Sequence, residues 1–216
     1  YRPPFLDKVE QWNKFNEFSG GTFVEKCCHY FDLINLLADG QPKDVFASGG
    51  QAVNFLNFAH EGRKSDIDDH GFAIINYRNG IRANFTLNMF ANEFYEELVI
   101  TGEKGRLVAS EKASADKKRQ TKASIMVEVE GHQHYEGSKI GYPPSIEKSG
   151  HHGATFFEHE ALISQLQQKE VDAATPRQGL MAMLVASAAQ RSISENNVVS
   201  IAEHAERNGI KEILNQ

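Results

Sequence analysis

The fold is decided by the stretch Phe72-Ala-Ile-Ile-Asn-Tyr-Arg-Asn-Gly-Ile-Arg-Ala-Asn-Phe-Thr-Leu-Asn-Met-Phe90. Its two apolar segments are separated by Asn79-Gly80, a dipeptide that supplies the positive φ angles of tight hairpin turns. The segments on both sides are rich in β-branched and aromatic residues, which favour strands. The stretch therefore predicts a β-hairpin of two antiparallel strands.

Further strands are predicted on both sides of this hairpin. Val45–Val53 alternates imperfectly between apolar and polar residues, and Ser124–Glu130 alternates more regularly. Phe94–Thr101 and Arg106–Ser110 flank Gly102-Glu-Lys-Gly105, which has the composition of a tight turn. Strands joined by such short turns predict an open, mainly antiparallel sheet with one face covered.

Helical patterns precede and follow the strands. The first predicted helix ends at Asp39-Gly40, because glycine favours the position after a helix. The C-terminal part contains Ala154–Gln168, a capping box at Thr175-Pro-Arg-Gln178 that opens a helix to Ser192, a short extended piece, and a last helix to about Leu214. We predict an α+β fold with helices on one face of the sheet. No repeat or low-complexity linker interrupts residues 1–216, which are expected to form a single domain.

Charge and composition restrict the classes of function. The net charge of the 216 residues is −6, which gives no electrostatic support for nucleic-acid binding. No apolar run reaches the roughly 18 residues that would predict a membrane span. The two cysteines, Cys27 and Cys28, are adjacent and point in different directions on a helix. This excludes a disulfide framework and favours a reducing, cytoplasmic setting.

The first helix contains the strongest candidate for chemistry. Glu25, His29 and Asp32 have the i, i+4, i+7 spacing that places three side chains within about 60° of one another. The rest of the circumference is largely apolar, so the helix is expected to be buried with its polar stripe facing a pocket. His29 is then the proton-transfer group. The alternative is a carboxylate at the helix start, Glu25, hydrogen-bonded to its neighbour His29.

Two other clusters contain ionisable residues. Gly150-His-His-Gly153 places His151 and His152 before a helix, where glycines allow close approach to a ligand and the helix N-terminus favours anions. The alternative is a polar helix entry without a ligand. The run Asp66–His70 is rich in aspartate but lacks the glycine and the terminal glutamate of an EF-hand loop, so it is interpreted as the entry to a strand.

A metal site is not predicted. Zinc could be bound by His29, Glu25 and either His151 or His152, since three protein ligands suffice for a catalytic zinc. The sequence, however, contains no H-E-x-x-H or other closely spaced ligand pair. Distant histidines would have to converge through folding alone, and a metal-dependent hydrolase is therefore the last of the alternatives.

Several segments follow, in order, the pattern of one family of oxidoreductases. They are Gly20-Gly-Thr-Phe-Val-Glu-Lys-Cys-Cys-His-Tyr-Phe-Asp-Leu33, Asp69-His-Gly-Phe-Ala-Ile-Ile-Asn-Tyr-Arg-Asn-Gly80, Ile100-Thr-Gly-Glu-Lys-Gly-Arg-Leu107, and the helices around Glu158 and Thr175–Ser192 with Val198-Val-Ser-Ile201. The first resembles the G-G-x-x-x-[D/E]-x-x-x-H-x-x-D helix of the glucose–fructose oxidoreductase / inositol dehydrogenase family (Gfo/Idh/MocA). The resemblance covers essentially the whole chain.

The resemblance implies that the chain is the substrate-binding and oligomerisation domain of an NAD(P)-dependent oxidoreductase. The substrate would be a sugar, polyol or related hydroxyl or carbonyl compound. The family's N-terminal Rossmann domain, which would bind most of the NAD or NADP, has no counterpart in this sequence, and a start at Tyr1 instead of Met also indicates a fragment. The chain alone is then expected to be inactive, and the whole enzyme to form a homo-dimer or tetramer through the sheet.

The resemblance also implies roles for individual residues. His29 matches the family's acid–base histidine, and Glu25 matches the acid beside it, which is more often Asp. From their own aromatic residues and lack of a clean period, and not from the resemblance, residues 1–23 are expected to form an ordered extended arm. The expected substrate contacts are Lys26, Asp32, Trp12 and Asn13, and His151 and His152 from the second cluster. The alternative from another class is a stand-alone sugar-binding or scaffold module that kept the sheet and lost the chemistry.

Overall fold

The structure is a computed structural model that describes residues 7–114, 122–129, 132–136 and 142–214. The chain divides into two compact units. The first unit consists of Tyr1–Ala91 together with Thr175–Gln216, so it is formed by both ends of the chain. The second unit is Asn92–Ala174.

Short 3₁₀ segments lie at Val9–Lys14, His151–Gly153 and Lys211–Leu214. The helices are α1 (Asn16–Ser19), α2 (Thr22–Ala38), α3 (Pro144–Glu147), α4 (Ala154–Leu166), α5 (Pro176–Glu195) and α6 (Ile201–Arg207). The strands are β1 (Pro42–Gly50), β2 (Ala59–His60), β3 (Arg63–Lys64), β4 (His70–Tyr77), β5 (Arg82–Asn88), β6 (Glu93–Gly102), β7 (Gly105–Ser114), β8 (Lys122–Val129), β9 (His132–Glu136) and β10 (Val199–Ser200).

The described part of the first unit contains an antiparallel sheet in the order β10-β1-β4-β5. Strand β4 alternates as its sequence predicts, with Ala73 and Ile75 buried and Phe72 and Ile74 exposed. Helices α2 and α5 pack against each other, and α5 packs against β1 on the buried face of the sheet. Burying a large side chain such as Phe23 stabilises the unit by about 1.5–3 kcal/mol.

The predicted capping box begins helix α5. Thr175 Oγ1 accepts a hydrogen bond from Gln178 N–H at 3.2 Å, and the side chain of Gln178 accepts one from Thr175 N–H at 2.8 Å. Small side chains follow and are buried where the helix meets α2 and the sheet (Ala182, Ala186, Ala188 and Ala189). Ser192 Oγ accepts a hydrogen bond from Ala47 N–H at 2.8 Å, which joins the end of α5 to β1.

The second unit contains an antiparallel meander in the order β6-β7-β8-β9. Val99, Val108 and Met126 are neighbours across its strands, and each is only partly buried or exposed. The apolar side chains of α4, including Leu162 and Leu166, are also exposed. Among the described residues, the fully buried apolar core therefore lies in the first unit.

The structure confirms the α+β class and the antiparallel pairing. The Asn79-Gly80 hairpin forms as predicted, with Gly80 at φ 90° and Tyr77 N–H donating to the carbonyl of Ile81 at 2.9 Å. The strand predicted at Val45–Val53 is displaced: β1 ends at Gly50, because the next residues turn around a buried carboxylate described below. The assignment of residues 1–216 to a single domain stays a prediction.

Candidate active site

Helix α2 begins immediately after Gly20 and Gly21, which have φ angles of 74° and 97°. Residues with a side chain rarely adopt such angles, so the two glycines set the direction in which the chain enters the helix. A Cβ on Gly21 would also lie 2.3 Å from the side chain of Gln190 in α5. The start of α2 is therefore in close contact with α5.

The side chain of Gln190 links this helix start to the segment before β4. It accepts a hydrogen bond from Phe23 N–H at 3.4 Å and donates one to Asp68 Oδ2 at 2.5 Å. Thr22 Oγ1 donates to the backbone carbonyl of Asp68. Burial raises the pKa of the Asp68 carboxyl, against the opposing effect of the Gln190 hydrogen bond. These contacts fix the N-terminal turn of α2, the helix on which Glu25, His29 and Asp32 lie.

Glu25 and Lys26 form an ion pair in the first two turns of α2. Lys26 Nζ lies 2.8 Å from Glu25 Oε1, and the two side chains are only 17% and 13% exposed. Water and salt screen such a shielded pair less than a surface pair. The sequence left open a polar stripe that faces a pocket and a Glu25 carboxylate hydrogen-bonded to His29; the ion pair that the structure shows for Glu25 is with its neighbour Lys26.

The imidazole of His29 is exposed, one turn further along α2. Its ring centroid lies 4.2 Å from that of Tyr30 at an interplanar angle of 44°, and Tyr30 in turn stacks on Phe85 of β5 at 5.5 Å. These aromatic contacts support one side of the imidazole and leave it accessible to a ligand. An accessible imidazole can exchange a proton with a bound hydroxyl group.

The expectation that α2 is buried nearly all round is wrong. Leu33, Leu36 and Leu37 are 41%, 62% and 43% exposed. Leu33 and Leu36 follow His29 at i+4 and i+7, so the exposed face of the helix combines the imidazole with apolar side chains. Only the opposite face, with Phe23, Cys27 and Phe31, lies in the core. Asp32 is half-buried between these faces.

Trp12 and Asn13 lie in the 3₁₀ segment Val9–Lys14, in the same unit as α2. Asn13 is fully buried and Trp12 is half-buried. The expectation of an extended arm is wrong for the described part of residues 1–23, which forms the 3₁₀ segment and α1. Asn16 holds this part of the chain against Asp66. Its backbone N–H donates to Asp66 Oδ1, and its Nδ2 donates to the backbone carbonyl of Asp66, each at 2.8 Å.

His151 and His152 lie in the second unit, in the 3₁₀ segment His151–Gly153. His151 is exposed, has a left-handed φ of 46°, and places Nδ1 3.4 Å from Thr155 Oγ1. The side chain of His152 is outside the described part of the structure. The two histidines are thus at the entry to α4, as the sequence predicted, and a role in substrate binding stays a prediction.

The run Asp66–His70 leads into β4, as predicted. Within this run, Asp69 makes the hydrogen bonds that hold the neighbouring backbone. The buried Asp69 carboxylate accepts hydrogen bonds from the N–H groups of Ala52, Val53 and Asn54 at 2.9, 2.8 and 2.7 Å. His70 Nδ1 lies 3.0 Å from Asp69 Oδ1. Burial raises the pKa of Asp69, but these hydrogen bonds outweigh it and lower the pKa overall. Sequence reasoning missed this role, although the acidic run marked the position.

Other features of the described residues lie apart from α2. No three His, Cys, Asp or Glu side chains in these ranges are grouped so that they could hold a metal ion. A shallow depression of about 560 Å³ lies at the β6–β7 turn of the second unit, lined by Thr101–Arg106 and Glu128, and contains none of the candidate residues. The part of the chain that the structure describes also has no helix of sufficient length and apolarity to cross a membrane.

Comparison with known proteins identifies relatives that match most of the chain. A family described as "Oxidoreductase family, C-terminal alpha/beta domain" (GFO_IDH_MocA_C) matches residues 1–201. Myo-inositol 2-dehydrogenase of Thermotoga maritima is 24% identical over 202 residues, which are 93% of this chain and 53% of that protein. The chain thus spans about half the length of this relative.

Solved structures share the fold. The WlbA dehydrogenase from Bordetella pertussis, in complex with NADH and UDP-GlcNAcA, is 18% identical with a TM-score of 0.58, and the match covers 92% of this chain and 52% of that one. Aldose-aldose oxidoreductase from Caulobacter crescentus, complexed with glycerol, is 15% identical with a TM-score of 0.61, and the match covers 92% and 53%. At these identities the similarity establishes the architecture.

Proposed function

Because the chain belongs to the Gfo/Idh/MocA oxidoreductase family, whose C-terminal alpha/beta domain it matches over residues 1–201, we propose that it is the substrate-binding and oligomerisation domain of an NAD(P)-dependent dehydrogenase. The substrate is a sugar, a polyol or a related hydroxyl or carbonyl compound. The names of the relatives support this class, since one is a myo-inositol 2-dehydrogenase and another is an aldose-aldose oxidoreductase.

The observation that carries the proposal is the exposed imidazole of His29, beside a shielded ion pair on the helix that bears the family pattern. In the proposed mechanism His29 exchanges the proton of the reacting hydroxyl group. Glu25 lies one turn before His29, and its carboxylate holds the ammonium group of Lys26. Asp32, Trp12 and Asn13 are proposed to contact the substrate together with Lys26, as are His151 and His152.

The nicotinamide cofactor supplies the hydride chemistry when it is bound. The sequence has no G-x-G-x-x-G after a strand, so residues 1–216 do not fit the cofactor by themselves. We propose that NAD or NADP is held mainly by an N-terminal Rossmann domain, and that the chain alone is inactive. The contribution of this chain is to bind and orient the substrate and to move the hydroxyl proton.

The outer face of the first unit's sheet supports the oligomerisation role. Phe46, Phe72 and Ile74 lie on this face and are exposed, and Phe46 pairs directly with Ile74 across β1 and β4. Exposed neighbouring apolar side chains of this kind mark interaction surfaces. We propose that the protein forms a homo-dimer or tetramer through this face, in the cytoplasm.

The experiment that tests the proposal uses the natural full-length protein. It is incubated with NAD or NADP and a panel of polyols and aldoses, and formation of the reduced nicotinamide is recorded. We expect turnover of at least one compound, and a loss of about 10²–10⁴-fold in kcat for His29→Ala. His159→Ala, which changes an exposed histidine of α4, is the matched control and should retain activity.

Two outcomes contradict parts of this proposal. Unchanged turnover by His29→Ala removes His29 from the mechanism. Binding of a sugar without turnover, with either cofactor present, contradicts the dehydrogenase and favours a sugar-binding module.

A further inference from the structure

Lys14 is a buried cation. The residue is 3% exposed, and its Nζ lies 2.7 Å from Asp7 Oδ1 and 2.5 Å from Gln11 Oε1. The same ammonium lies 4.6 Å and 4.4 Å from the ring centroids of Phe55 and Phe58. A buried charge is unfavourable unless other groups replace water, and here two oxygen acceptors and two aromatic faces do so.

The groups around the ammonium come from two separate segments. Asp7 and Gln11 belong to the same segment as Lys14, whereas Phe55 and Phe58 lie between β1 and β2 and contact each other edge to face at 5.7 Å. We call these two rings the aromatic cage. Ser65 Oγ also donates to the backbone carbonyl of Lys14 at 2.8 Å. The side chain of Lys14 therefore joins the 3₁₀ segment Val9–Lys14 to the β1–β2 connection.

The segment that Lys14 holds is strained. Glu10 and Gln11 have φ angles of 53° and 56°, the left-handed region that residues with a Cβ rarely occupy. Consecutive residues in this conformation persist only where the surroundings fix them. The hydrogen bond from Lys14 Nζ to Gln11 Oε1 closes the strained turn, and Trp12 is the next residue after it.

We propose that Lys14 is a positioning residue. Its ammonium, held in the aromatic cage, fixes the left-handed turn at Glu10 and Gln11 and thereby positions the half-buried Trp12 and the buried Asn13 that follow. This fixing of the turn by Lys14, called pinning below, follows from the contacts of Lys14 Nζ with Asp7, Gln11 and the aromatic cage. Only the consequence for substrate binding rests on the proposed function, in which Trp12 and Asn13 contact the substrate.

Tryptophan fluorescence of the natural full-length protein, with any tryptophan outside residues 1–216 replaced by phenylalanine, tests the pinning directly, because Trp12 is the single tryptophan of these residues. In Lys14→Met the cation is lost but the length of the side chain is nearly kept. We expect the acrylamide quenching constant of Trp12 to rise about twofold, as for a locally released segment, with unchanged far-UV circular dichroism. Lys14→Arg should restore the wild-type value, since a guanidinium also binds aromatic faces. Lys8→Met, at an exposed lysine, is the control.

A second variant covers the case in which Lys14→Met does not fold. Asp7→Asn combined with Gln11→Ala weakens both hydrogen bonds of the ammonium and leaves the core intact, since Asp7 is exposed and Gln11 is half-buried. We expect a smaller rise in quenching in the same direction. Wild-type quenching in the folded variants overturns the proposal. A Lys14→Arg protein that behaves like Lys14→Met overturns the role of the cage.

Kinetics of the natural full-length protein separate this proposal from the proposed function. For a substrate that is turned over, Lys14→Met should raise KM about tenfold with little change in kcat, because binding and not proton transfer is affected. Raised quenching with an unchanged KM supports the pinning and overturns the substrate-side role. If no sugar or polyol is oxidised, the proposed function fails, and the fluorescence result still decides the pinning.

Discussion

The side chain of Gln190 lies 2.3 Å from the position that a Cβ on Gly21 would occupy. Gly21 also has a φ of 97°, so Gly21→Ala combines backbone strain with a clash against α5. We expect this substitution to reduce the free energy of unfolding by about 3 kcal/mol, measured by chemical denaturation.

Two other glycines separate these contributions. Gly62 has a φ of 81° but no heavy atom within 4 Å of the position that a Cβ would occupy, so Gly62→Ala reports the strain alone, about 1 kcal/mol. Gly179 lies in α5 with open space around it, and Gly179→Ala should stabilise by about 1 kcal/mol through helix propensity. If Gly21→Ala is no more harmful than Gly62→Ala, the Gln190 side chain moves aside at little cost and the additional loss expected from the clash is wrong.

A second prediction concerns Asp69. Asp69→Asn replaces one acceptor oxygen by an amide that points its own hydrogens either at the N–H group of Ala52 or at those of Val53 and Asn54. We expect a loss of about 3 kcal/mol in the free energy of unfolding, as for a buried hydrogen-bonded charge. Asp39→Asn is the matched control, since Asp39 is exposed in a left-handed conformation that asparagine tolerates, and its effect should stay within about 0.5 kcal/mol.

The effect of Asp69→Asn depends on pH in a defined direction. Burial raises the pKa of Asp69, but the hydrogen bonds from His70 and three N–H groups outweigh it, so the folded pKa lies below the ordinary value. The stabilisation is thus complete above the ordinary pKa of about 3.9 and is lost as pH falls through the lower folded value. A difference between wild type and variant that persists under strongly acidic conditions contradicts this assignment.

Local chemistry explains which parts of the fold were predictable. The hairpin at Asn79-Gly80 and the capping box at Thr175–Gln178 depend on residues within four positions of each other. Both features could therefore be predicted from short stretches of sequence. The C-terminal end of β1 was not predictable in this way. The chain leaves the sheet after Gly50 so that three N–H groups can donate to Asp69, and no periodic pattern marks that contact.

The site was predictable to a similar extent. The spacing of Glu25, His29 and Asp32 placed them on one helix, as the structure shows. The hydrogen bond that holds the start of that helix against α5 was not predicted, since Phe23 and Gln190 are separated by 167 positions in the chain. The exposure of Leu36 was missed as well, because an apolar residue on a helix does not reveal whether another element covers it.

A third prediction tests the proposed oligomer interface. Phe72 is 57% exposed on the outer face of the sheet, so Phe72→Asp should leave the fold intact and add a charge to the interface. We expect the natural full-length protein to sediment as a smaller species after this change. Leu56→Asp, at an exposed leucine outside the sheet, is the control and should not change the sedimentation coefficient. Unchanged assembly in both variants contradicts an interface at this face.

The last prediction concerns His204 of α6, which is buried with Nε2 3.0 Å from Ser187 Oγ of α5. Burial lowers the pKa of His204, and the charges of Arg191 and Arg207 lower it further, partly offset by Glu195. The unfolded chain therefore takes up a proton at a higher pH than the folded chain. The stability that depends on the neutral imidazole is complete above the ordinary pKa of about 6.5 and is lost as pH falls below it.

Chemical denaturation between about pH 7.5 and pH 5.5 measures this loss, which should approach but not exceed about 1.4 kcal/mol per pH unit for one proton. His204→Gln cannot take up the proton, so the difference in unfolding free energy between wild type and variant should shrink as pH falls. His159→Gln, at an exposed histidine of α4, should keep the pH dependence of the wild type. A wild-type slope in His204→Gln shows that another group is responsible for the acid sensitivity, because the buried imidazole is then absent while its effect remains.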